Sequence, residues 1–464
     1  CLTMIPEFIK IACIKRKRNN KILNVALINL IYPINSPIQN HYSMKLFLLT
    51  VSIFLCSITS AATYYISPTG NDATGNGSIT NPWRTIYRAT QTATAFGDLI
   101  RVIAGTYTET QTSNLSAGVS IEGDAAATTI IRGAMTNNFG AIIEMQSPDQ
   151  TNANQSISKL TFDGQYVSPT NNKTWLAIWI TGRSNVSIHD CIIKNFLWRG
   201  VIYNGINANN PGTDVGYNHA TGNTFYNNTV TNCADYGISG GGSGSLNIGF
   251  QNGMLIYNNL IQQIERAEGL NGWPIKYWNQ GWLKGCKIYN NTLIKKPYGG
   301  NYPGESGWDF AIELFNIQGL EIYGNDIQNG AIDLNYNYKS TYPYSTWIHD
   351  NLITNTTFNP RVEGGIILEF RTEHALIENN IFNNKSYGIS FNTRGPGNYG
   401  GDNLPNPGGT PPGGYSYLLN NVMRNNLFTN LYTGQGIGNS FAIGVISEGT
   451  DDPQINGFSV YNNT

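Results

Sequence analysis

Charged side chains are scarce in this chain of 464 residues. Asp, Glu, Lys and Arg make up 12% of the sequence, where an ordinary soluble domain has about 25%. Their place is taken by 51 Gly, 27 Tyr and abundant Asn and Thr, which favour turns and strands over helices. The composition therefore excludes a mainly helical fold and predicts many short strands joined by turns.

The sequence also has few apolar residues in a row, and the run at its predicted leader is too short to span a bilayer. The run Leu46–Cys56 has eleven residues, whereas a spanning helix needs about 20. It follows Lys45 and precedes the small residues Thr59-Ser60-Ala61, as in a secretory signal peptide. We predict a signal peptide at 44–61, an upstream extension that is not native at 1–43, and a secreted chain (extracellular, periplasmic or at the cell surface) without stable membrane insertion. The rival hypothesis, a membrane anchor behind a basic tail, needs a longer apolar run.

Basic charge becomes scarce once this leader is set aside. Residues 1–61 hold seven of the 28 basic side chains and one of the 29 acidic ones, so the remainder has a net charge near −7. Since no basic stripe remains, nucleic acid is not an expected partner. The three remaining cysteines, Cys191, Cys233 and Cys286, form no C-x-x-C pair. They are either buried thiols or include one disulfide.

One short pattern recurs along the chain: apolar, any, Asn/Asp/Gly, Asn, any, apolar. The clearest copies are FYNNTV (225–230), IYNNLI (256–261), IYNNTL (288–293), IYGNDI (322–327), IHDNLI (348–353), IENNIF (377–382), MRNNLF (423–428) and VYNNT (460–464). With earlier, degenerate copies the mean step is about 34 residues. Asn, Asp and Gly tolerate the positive φ of a sharp corner. Asparagines stacked at the strand spacing of about 4.8 Å can hydrogen-bond from coil to coil, which predicts an asparagine ladder.

The segment YYISPTGNDATGNGSITNPWRTIYRATQTATAFGDLIRVIAGTYTE (64–109) resembles the opening of pectate-lyase-like β-helix proteins. In that superfamily a short helix plugs the open end, and a G-D-x-I-x-V-x-x-G-T-Y-x-E strand starts the first coil. Here the expected plug is Trp83–Phe96, with Ile86, Ala89, Ala93 and Phe96 on its buried face. GVSIEGDAAATTIIRG (118–133) resembles the next coil.

The resemblance implies an all-β fold, a right-handed parallel β-helix of three-strand coils with an N-terminal capping helix. We expect a single domain over 62–464, in which 62–133 form the cap and the first coils. We also expect a monomer. Because solenoids need capped ends and the sequence stops inside a corner copy, we expect the C-terminus to be truncated.

In the resembling superfamily the substrate groove follows the outer face of the third strand of each coil. Here the expected third strands are WLAIWITG (175–182), YGISG (236–240), WPIKYW (273–278), DFAIELFN (309–316), GAIDLNYN (330–337), GGIILEFR (364–371), YGISFNTR (387–394) and AIGVISEG (442–449). A period of two places Lys276, Glu313, Asp333, Glu369 and Ser390 in one outward column. The next outward column holds Trp278, Phe315, Asn335, Arg371 and Asn392, while Phe370 is expected to point inward.

Three functional hypotheses stay open for this face. In the first, Glu313, Asp333 and Glu369 hold Ca²⁺, and Lys276 or Arg371 removes the proton alpha to a uronate carboxylate, so the chain is a polysaccharide lyase. In the second, two of the acids hydrolyse a glycosidic bond.

In the third hypothesis the chain is a non-catalytic glycan-binding protein or adhesin. In all three, the partner is an extracellular polysaccharide, no organic cofactor is expected, and the expected substrate contacts are Trp179, Trp278, Asn335, Asn392 and Arg394. The superfamily's paired-Asp calcium motif, its complete Glu-x-x-x-Asn-Lys arrangement and its paired-Asp plus G-H-G set are missing, so the resemblance names no activity. A solvated ladder of ion pairs is the alternative without function.

Overall fold

The computed structural model describes residues 11–18, 21–28, 61–135, 140–165, 174–196, 198–206, 219–233, 244–263, 273–278, 281–295, 310–356, 364–394, 417–432, 440–448 and 454–464. The chain divides into two compact units, residues 1–60 and 61–464. In the first unit, strands Ile11–Arg18 and Lys21–Ile28 pair antiparallel. The predicted signal peptide lies outside the described residues except for Ala61. Within the described part of the chain, no helix is both long and apolar enough to cross a membrane.

The second unit is a parallel β-helix with three strands in each coil. Strands of the first sheet are Thr63–Ile66, Leu99–Val102, Ser120–Gly123, Thr224–Tyr226, Leu255–Tyr257, Lys287–Tyr289, Leu320–Tyr323, Thr346–His349, Leu376–Glu378, Val422–Arg424 and Ser459–Tyr461. Strands of the second sheet are Gly105–Glu109, Thr129–Gly133, Thr161–Asp163, Ile192–Lys194, Thr229–Thr231, Leu260–Gln262, Thr292–Ile294, Asp326–Gln328, Leu352–Thr354, Ile381–Asn383 and Leu427–Thr429.

The third sheet carries the longer strands. They are Gly140–Ser158, Thr174–His189, Arg199–Asn204, Gly244–Gly249, Trp273–Tyr277, Phe310–Gln318, Ala331–Asn337, Gly364–Glu373, Tyr387–Arg394 and Phe441–Glu448. The first two of these continue around the corner into the first sheet. The two-residue strand Ser113–Asn114 pairs with Ile143 and Glu144 and so belongs to the third sheet. Short strands occupy the corner elsewhere: Ala220–Thr221, Gln251–Asn252, Leu283–Lys284, Tyr417–Leu419 and Gln454–Asn456. The predicted third strand at 236–240 lies outside the described residues.

The asparagine ladder is confirmed. It joins Asn228, Asn259, Asn291, Asn325, Asn351, Asn380, Asn426 and Asn463, and each side-chain amide donates to the next Oδ1 at 2.9–3.2 Å. Each corner residue just before a ladder asparagine has a positive φ, such as 54° at Asn290 and 63° at Gly324. The ladder satisfies amide groups at a buried corner, and thereby fixes the register between coils.

A column of rings runs along the outer side of the first sheet. His189, Tyr226, Tyr257, Tyr289, Tyr323 and His349 stack face to face with ring centroids 4.8–5.0 Å apart. Each ring covers the face of the next, so the stack holds neighbouring coils together. His189 and His349 occupy the same position of the repeat, and both rings pack in this stack.

The N-terminal capping helix is present but shorter than predicted. It spans Ile86–Thr90, and its N-cap Thr85 accepts a hydrogen bond from the backbone N–H of Arg88. Ile86, Ala89 and Ala93 are buried as expected, whereas Phe96 is 55% exposed. The placement of Phe96 on the buried face was wrong, because the helix ends before it and its ring lies over the turn at Gly118.

Aliphatic side chains fill the interior of the coils. The predicted inward residues Ile275, Ile312, Leu314, Ile332, Leu334, Leu368, Ile389 and Phe391 all lie in one core that runs along the helix axis. Cys191, Cys233 and Cys286 are also buried in this core. None of them forms a disulfide among the described residues, so the thiol alternative holds.

Candidate functional site

Three ionisable residues lie side by side on the outer face of the third sheet, as predicted. Lys276 pairs in register with Glu313, and Glu313 pairs with Asp333 on the next coil. Asn247 precedes Lys276 in the same column. Neighbouring parallel strands lie about 4.8 Å apart, so each side chain reaches the next.

The predicted position of Glu369 in this column was wrong. Asp333 pairs with Ile367, whereas Glu369 pairs with Asn335 on one side and Asn392 on the other. Both Ile367 and Glu369 point outward, and a period of two cannot choose between two outward positions of one strand. The carboxylate of Glu369 therefore belongs to the neighbouring column, two residues along the strand.

A bulge explains two further differences at the strand ends. Tyr336 and Phe370 have φ of 56° and 65°, and the pairing between their strands shifts register at this point. Phe370 consequently leaves the interior and stacks on Tyr336 with centroids 4.6 Å apart, which contradicts its predicted inward direction. Arg371 does not join the column of Asn335. Its Nε donates to Glu373 at 2.7 Å, and its guanidinium lies 4.9 Å from the ring of Tyr338.

The column is largely buried, which a solvated ion-pair ladder would not be. Lys276 is 3% exposed and Asp333 2%, and the side chain of Glu313 is 12% exposed. Glu369 in the neighbouring column is 6% exposed. The Lys276 ammonium forms an ion pair with Glu313 and lies 4.0 Å from the ring of Trp273. The amide of Asn335 donates to Asp333 Oδ2 at 3.0 Å. Ionisable groups removed from water in this way cost folding free energy unless they are paired.

A tryptophan cluster lies at the N-terminal end of the column. Trp179 and Trp278 meet edge to face with centroids 5.9 Å apart, and Trp198 meets Trp278 at 6.4 Å. The buried guanidinium of Arg199 lies between two of these rings, 3.5 Å from Trp198 and 4.5 Å from Trp278. The indole N–H groups of Trp179 and Trp278 have no hydrogen-bond partner within the described ranges.

Arg199 and Asn247 were missed in the sequence interpretation. They lie on the strands Arg199–Asn204 and Gly244–Gly249, which were not counted as third strands. The signals were the short apolar run V-I-Y and the short alternation L-N-I, which are too brief to identify a strand by periodicity alone.

Apolar side chains border the polar columns on both sides along the strands. Near the strand starts, Phe310, Ala331, Ile367 and Tyr387 pack together with Trp273 and Phe441. Near the strand ends, Ile206, Phe250, Trp282, Tyr336, Tyr338 and Phe370 pack together with Phe315. The polar groups therefore lie between apolar walls, where electrostatic interactions are stronger than in water.

The second polar column consists of Asn335, Glu369 and Asn392. Ser390 donates a hydrogen bond to Asn392 Oδ1. Asn335 Oδ1 and Asn392 Nδ2 are buried without a hydrogen-bond partner among the described residues. Arg394 ends the strand Tyr387–Arg394, and its side chain lies outside the described part of the structure.

The predicted calcium ligands do not form the expected cluster. Ca²⁺ takes six to eight oxygen ligands, several of them from carboxylates. Glu313 is engaged by Lys276, and Glu369 is offset from the column of Asp333. Among the described residues, no group of three or more His, Cys, Asp and Glu side chains is placed to hold a metal ion. A calcium requirement stays a prediction.

Comparisons with known proteins agree with the fold. Residues 215–404 match the family model described as right handed beta helix region, which confirms the predicted handedness. No curated protein matches the sequence significantly.

Similar solved structures have low sequence identity to this chain. Geobacillus virus E2 ORF18 is 13% identical with a TM-score of 0.47, and the match covers 91% of this chain and 66% of that protein. A mannuronic acid specific polysaccharide family 6 lyase from human gut microbiota is 13% identical with a TM-score of 0.49, covering 86% and 83%. The N-terminal fragment of bacteriophage phi29 gene product 12 is 15% identical with a TM-score of 0.43, covering 91% and 73%.

Proposed function

We propose that this pectate-lyase-like, right-handed parallel β-helix protein acts outside the cell and cleaves a uronic-acid-containing polysaccharide by β-elimination. The observation that carries the proposal is the buried column Lys276–Glu313–Asp333, flanked by aromatic rings on the outer face of the third sheet. A structural solenoid gains nothing from burying these charges, whereas a catalytic site needs ionisable groups shielded from water.

The Lys276–Glu313 pair can supply both the base and the acid of the elimination. In the neutral form of the pair, the amine of Lys276 takes the proton alpha to the uronate carboxylate. The bond to the leaving oxygen breaks as the ring double bond forms, and the carboxyl group of Glu313 gives its proton to that oxygen. The pair ends as ammonium and carboxylate, and transfer of one proton between the two side chains restores it.

The neighbouring groups position the sugar. The carboxylate of Asp333 is oriented by Asn335 and can accept a hydrogen bond from a sugar hydroxyl. The rings of Trp179 and Trp278 offer flat apolar surfaces, and their indole N–H groups are hydrogen-bond donors. A glycan that lies along the helix axis would contact these groups on successive coils.

Retaining glycoside hydrolysis is the second candidate, favoured by the pairing of Glu313 with Asp333. Strands about 4.8 Å apart bring two carboxylates close to the separation of roughly 5 to 5.5 Å used by retaining glycosidases. In this mechanism one acid protonates the leaving oxygen and the other is the nucleophile.

The products separate these functions. The chain would be incubated with pectate, alginate and glycosaminoglycans, with and without a chelator. Unsaturated ends that absorb in the ultraviolet support the lyase, new reducing ends without absorbance support the hydrolase, and retained binding without products supports an adhesin.

Matched variants locate the activity. Lys276→Met, Glu313→Gln and Asp333→Asn should each abolish cleavage, while Glu321→Gln on the first sheet should leave it unchanged. Full activity in all three site variants would show that the proposed site is wrong.

A further inference from the structure

Indole N–H groups without an acceptor are concentrated on the outer face of the third sheet. Trp179, Trp273 and Trp278 each bury their Nε1 atom, and none of the three donates a hydrogen bond in the part of the chain that the structure describes. An indole nitrogen can only donate, and a buried donor without an acceptor is costly. Three such donors on one face indicate that a bound molecule supplies the acceptors.

Tryptophans away from this face find acceptors within the chain. Trp83 Nε1 donates to the carbonyl oxygen of Gly75 at 2.9 Å, and Trp347 Nε1 donates to Glu378 Oε1 at 3.0 Å. Trp282 also buries an N–H without an acceptor among the described residues, but its ring belongs to the apolar cluster near the strand ends. The other three indole groups share one neighbourhood.

This neighbourhood surrounds Lys276. The ring of Trp273 covers its ammonium, with Nζ 4.0 Å from the ring centroid. Trp278 follows two residues after Lys276 and meets Trp179 edge to face with centroids 5.9 Å apart. Because Lys276 is ion-paired with Glu313, the neutral indole groups are better placed than this ammonium to receive an acceptor from a ligand.

The chemistry of the donors selects the ligand group. Glu144 is the carboxylate in register with Trp179 on the preceding coil, and it accepts from Gln146 Nε2 at 3.1 Å instead. An ionised carboxylate only accepts hydrogen bonds, whereas a hydroxyl also brings a donor that needs a partner of its own. Hydrogen bonds to an ionised group are also the stronger ones. A group of donors therefore favours a carboxylate over a sugar hydroxyl.

We propose that the indole N–H groups of Trp273 and Trp278, together with that of Trp179, hold the ionised carboxylate of the uronate. The ring edges recognise the acid group, and the ring faces are left for the sugar. This inference rests on the proposed function. Negative charge moves toward the carboxylate as the alpha proton leaves, so donors fixed there stabilise the transition state as well as the bound sugar.

The test uses each polymer in two forms. Pectate, alginate and glycosaminoglycans would be compared with the same polymers after reduction of their carboxyl groups to primary alcohols. Reduction keeps the sugar rings and replaces each acceptor-only group by a hydroxyl. In affinity gels the parent protein should bind the native form of its preferred polymer about a hundredfold more tightly than the reduced form, since each hydrogen bond to a charged group contributes about tenfold or more.

Phenylalanine variants remove the donors and keep an aromatic face. Trp273→Phe and Trp278→Phe should each lower the preference for the native form about tenfold, with little change in binding of the reduced form. Trp347→Phe is the matched control, because its N–H donates to Glu378 on the first sheet, and it should leave the preference unchanged. Circular dichroism would show which variants are folded, and one folded site variant is sufficient.

The outcomes separate this inference from the proposed function. Folded phenylalanine variants that keep the parent's preference, or a parent that binds both forms equally, would overturn the inference, while release of unsaturated ends would still support the lyase. A preference lost in these variants without cleavage of any polymer would uphold the inference and overturn the lyase function. Binding to no polymer would overturn both.

Discussion

Lys276 and Glu313 are paired positions on neighbouring coils, and their side chains form an ion pair that is almost completely buried, with 4% and 12% of the two side chains exposed. Beside it, Asp333 is also buried and receives a hydrogen bond from Asn335. A buried pair of this kind contributes little to stability compared with apolar residues of similar size. Its presence on an outer sheet face is the observation on which the proposed catalytic role rests.

Breaking the ion pair should cost stability, whereas replacing it should not. Lys276→Met or Glu313→Leu alone leaves a buried charge without its partner and should reduce the free energy of unfolding by about 3–5 kcal/mol. The double variant should return close to the parent value. Urea unfolding of the parent, the two single variants and the double variant measures these free energies. Single variants whose free energy of unfolding lies within about 1 kcal/mol of the parent value would argue against a buried pair.

Substitution of a ladder asparagine should reduce stability, whereas substitution of the corner residue before it should be tolerated. Asn291 donates to Ile256, Tyr289 and Asn325 and accepts from Asn259. Asn291→Ala leaves these groups unsatisfied and should destabilise the fold by about 3 kcal/mol.

Asn290→Gly is the matched control for the ladder. Asn290 is exposed with φ of 54°, and glycine adopts this conformation without strain, so the change should stay within about 0.5 kcal/mol. Thermal or urea unfolding measures both variants. Equal effects at the two positions would contradict the ladder's role.

Glu109 should make the stability of the N-terminal cap depend on pH. It accepts hydrogen bonds from the backbone N–H groups of Ile86 and Tyr87 at 2.7 and 3.2 Å, and its burial raises its pKa from 4.5 to about 7. Because the folded protein binds this proton more tightly than the unfolded chain, the stabilisation is fully present below pH 4.5 and is lost as the pH rises through 7.

The size of this effect follows from the raised pKa. At about 1.4 kcal/mol for each pKa unit, the loss between these pH values is about 3 kcal/mol. Unfolding of the parent and of Glu109→Gln would be measured at pH 4.5, 6 and 8. The difference between the two proteins should change with pH in this direction, and parallel pH profiles would contradict the assignment.

The buried cysteines should be unreactive in the folded protein. Burial raises the pKa of the thiols of Cys191 and Cys286 to about 12, and the thiolate is the reactive form. Alkylation at pH 8 followed by peptide mapping should label Cys191, Cys233 and Cys286 only after denaturation. Labelling in the folded state, or a peptide pair linked by a disulfide, would contradict their placement in the core.

The architecture could be predicted from the sequence because several features of the repeat each have a physical reason to form the same coil. Positive φ at the corner, the amide stack beside it and the apolar alternation on each strand all favour the same coil. The helix end at Thr90 was harder to predict, because the apolar spacing to Phe96 continues beyond the residues that adopt helical geometry.

The sequence predicted which residues of the site face outward, but it did not predict which outward column each of them joins in every coil. Period two correctly placed Lys276, Glu313 and Asp333 on the outer face, since consecutive strands there differ by simple register. It could not place Glu369, because Ile367 and Glu369 are both outward and pairing with Asp333 is decided by the coil's turn lengths. No local sequence feature predicts the bulge at Phe370, because a bulky residue rarely adopts positive φ.

The most direct test of the account is the release of unsaturated, ultraviolet-absorbing ends from a uronic-acid-containing polysaccharide. The parent protein should release them steadily, and the folded double variant Lys276→Met/Glu313→Leu should release none. Equal release by both proteins, or none by the parent on any uronate-containing glycan, would contradict the claim that the buried column of the third sheet is a lyase site.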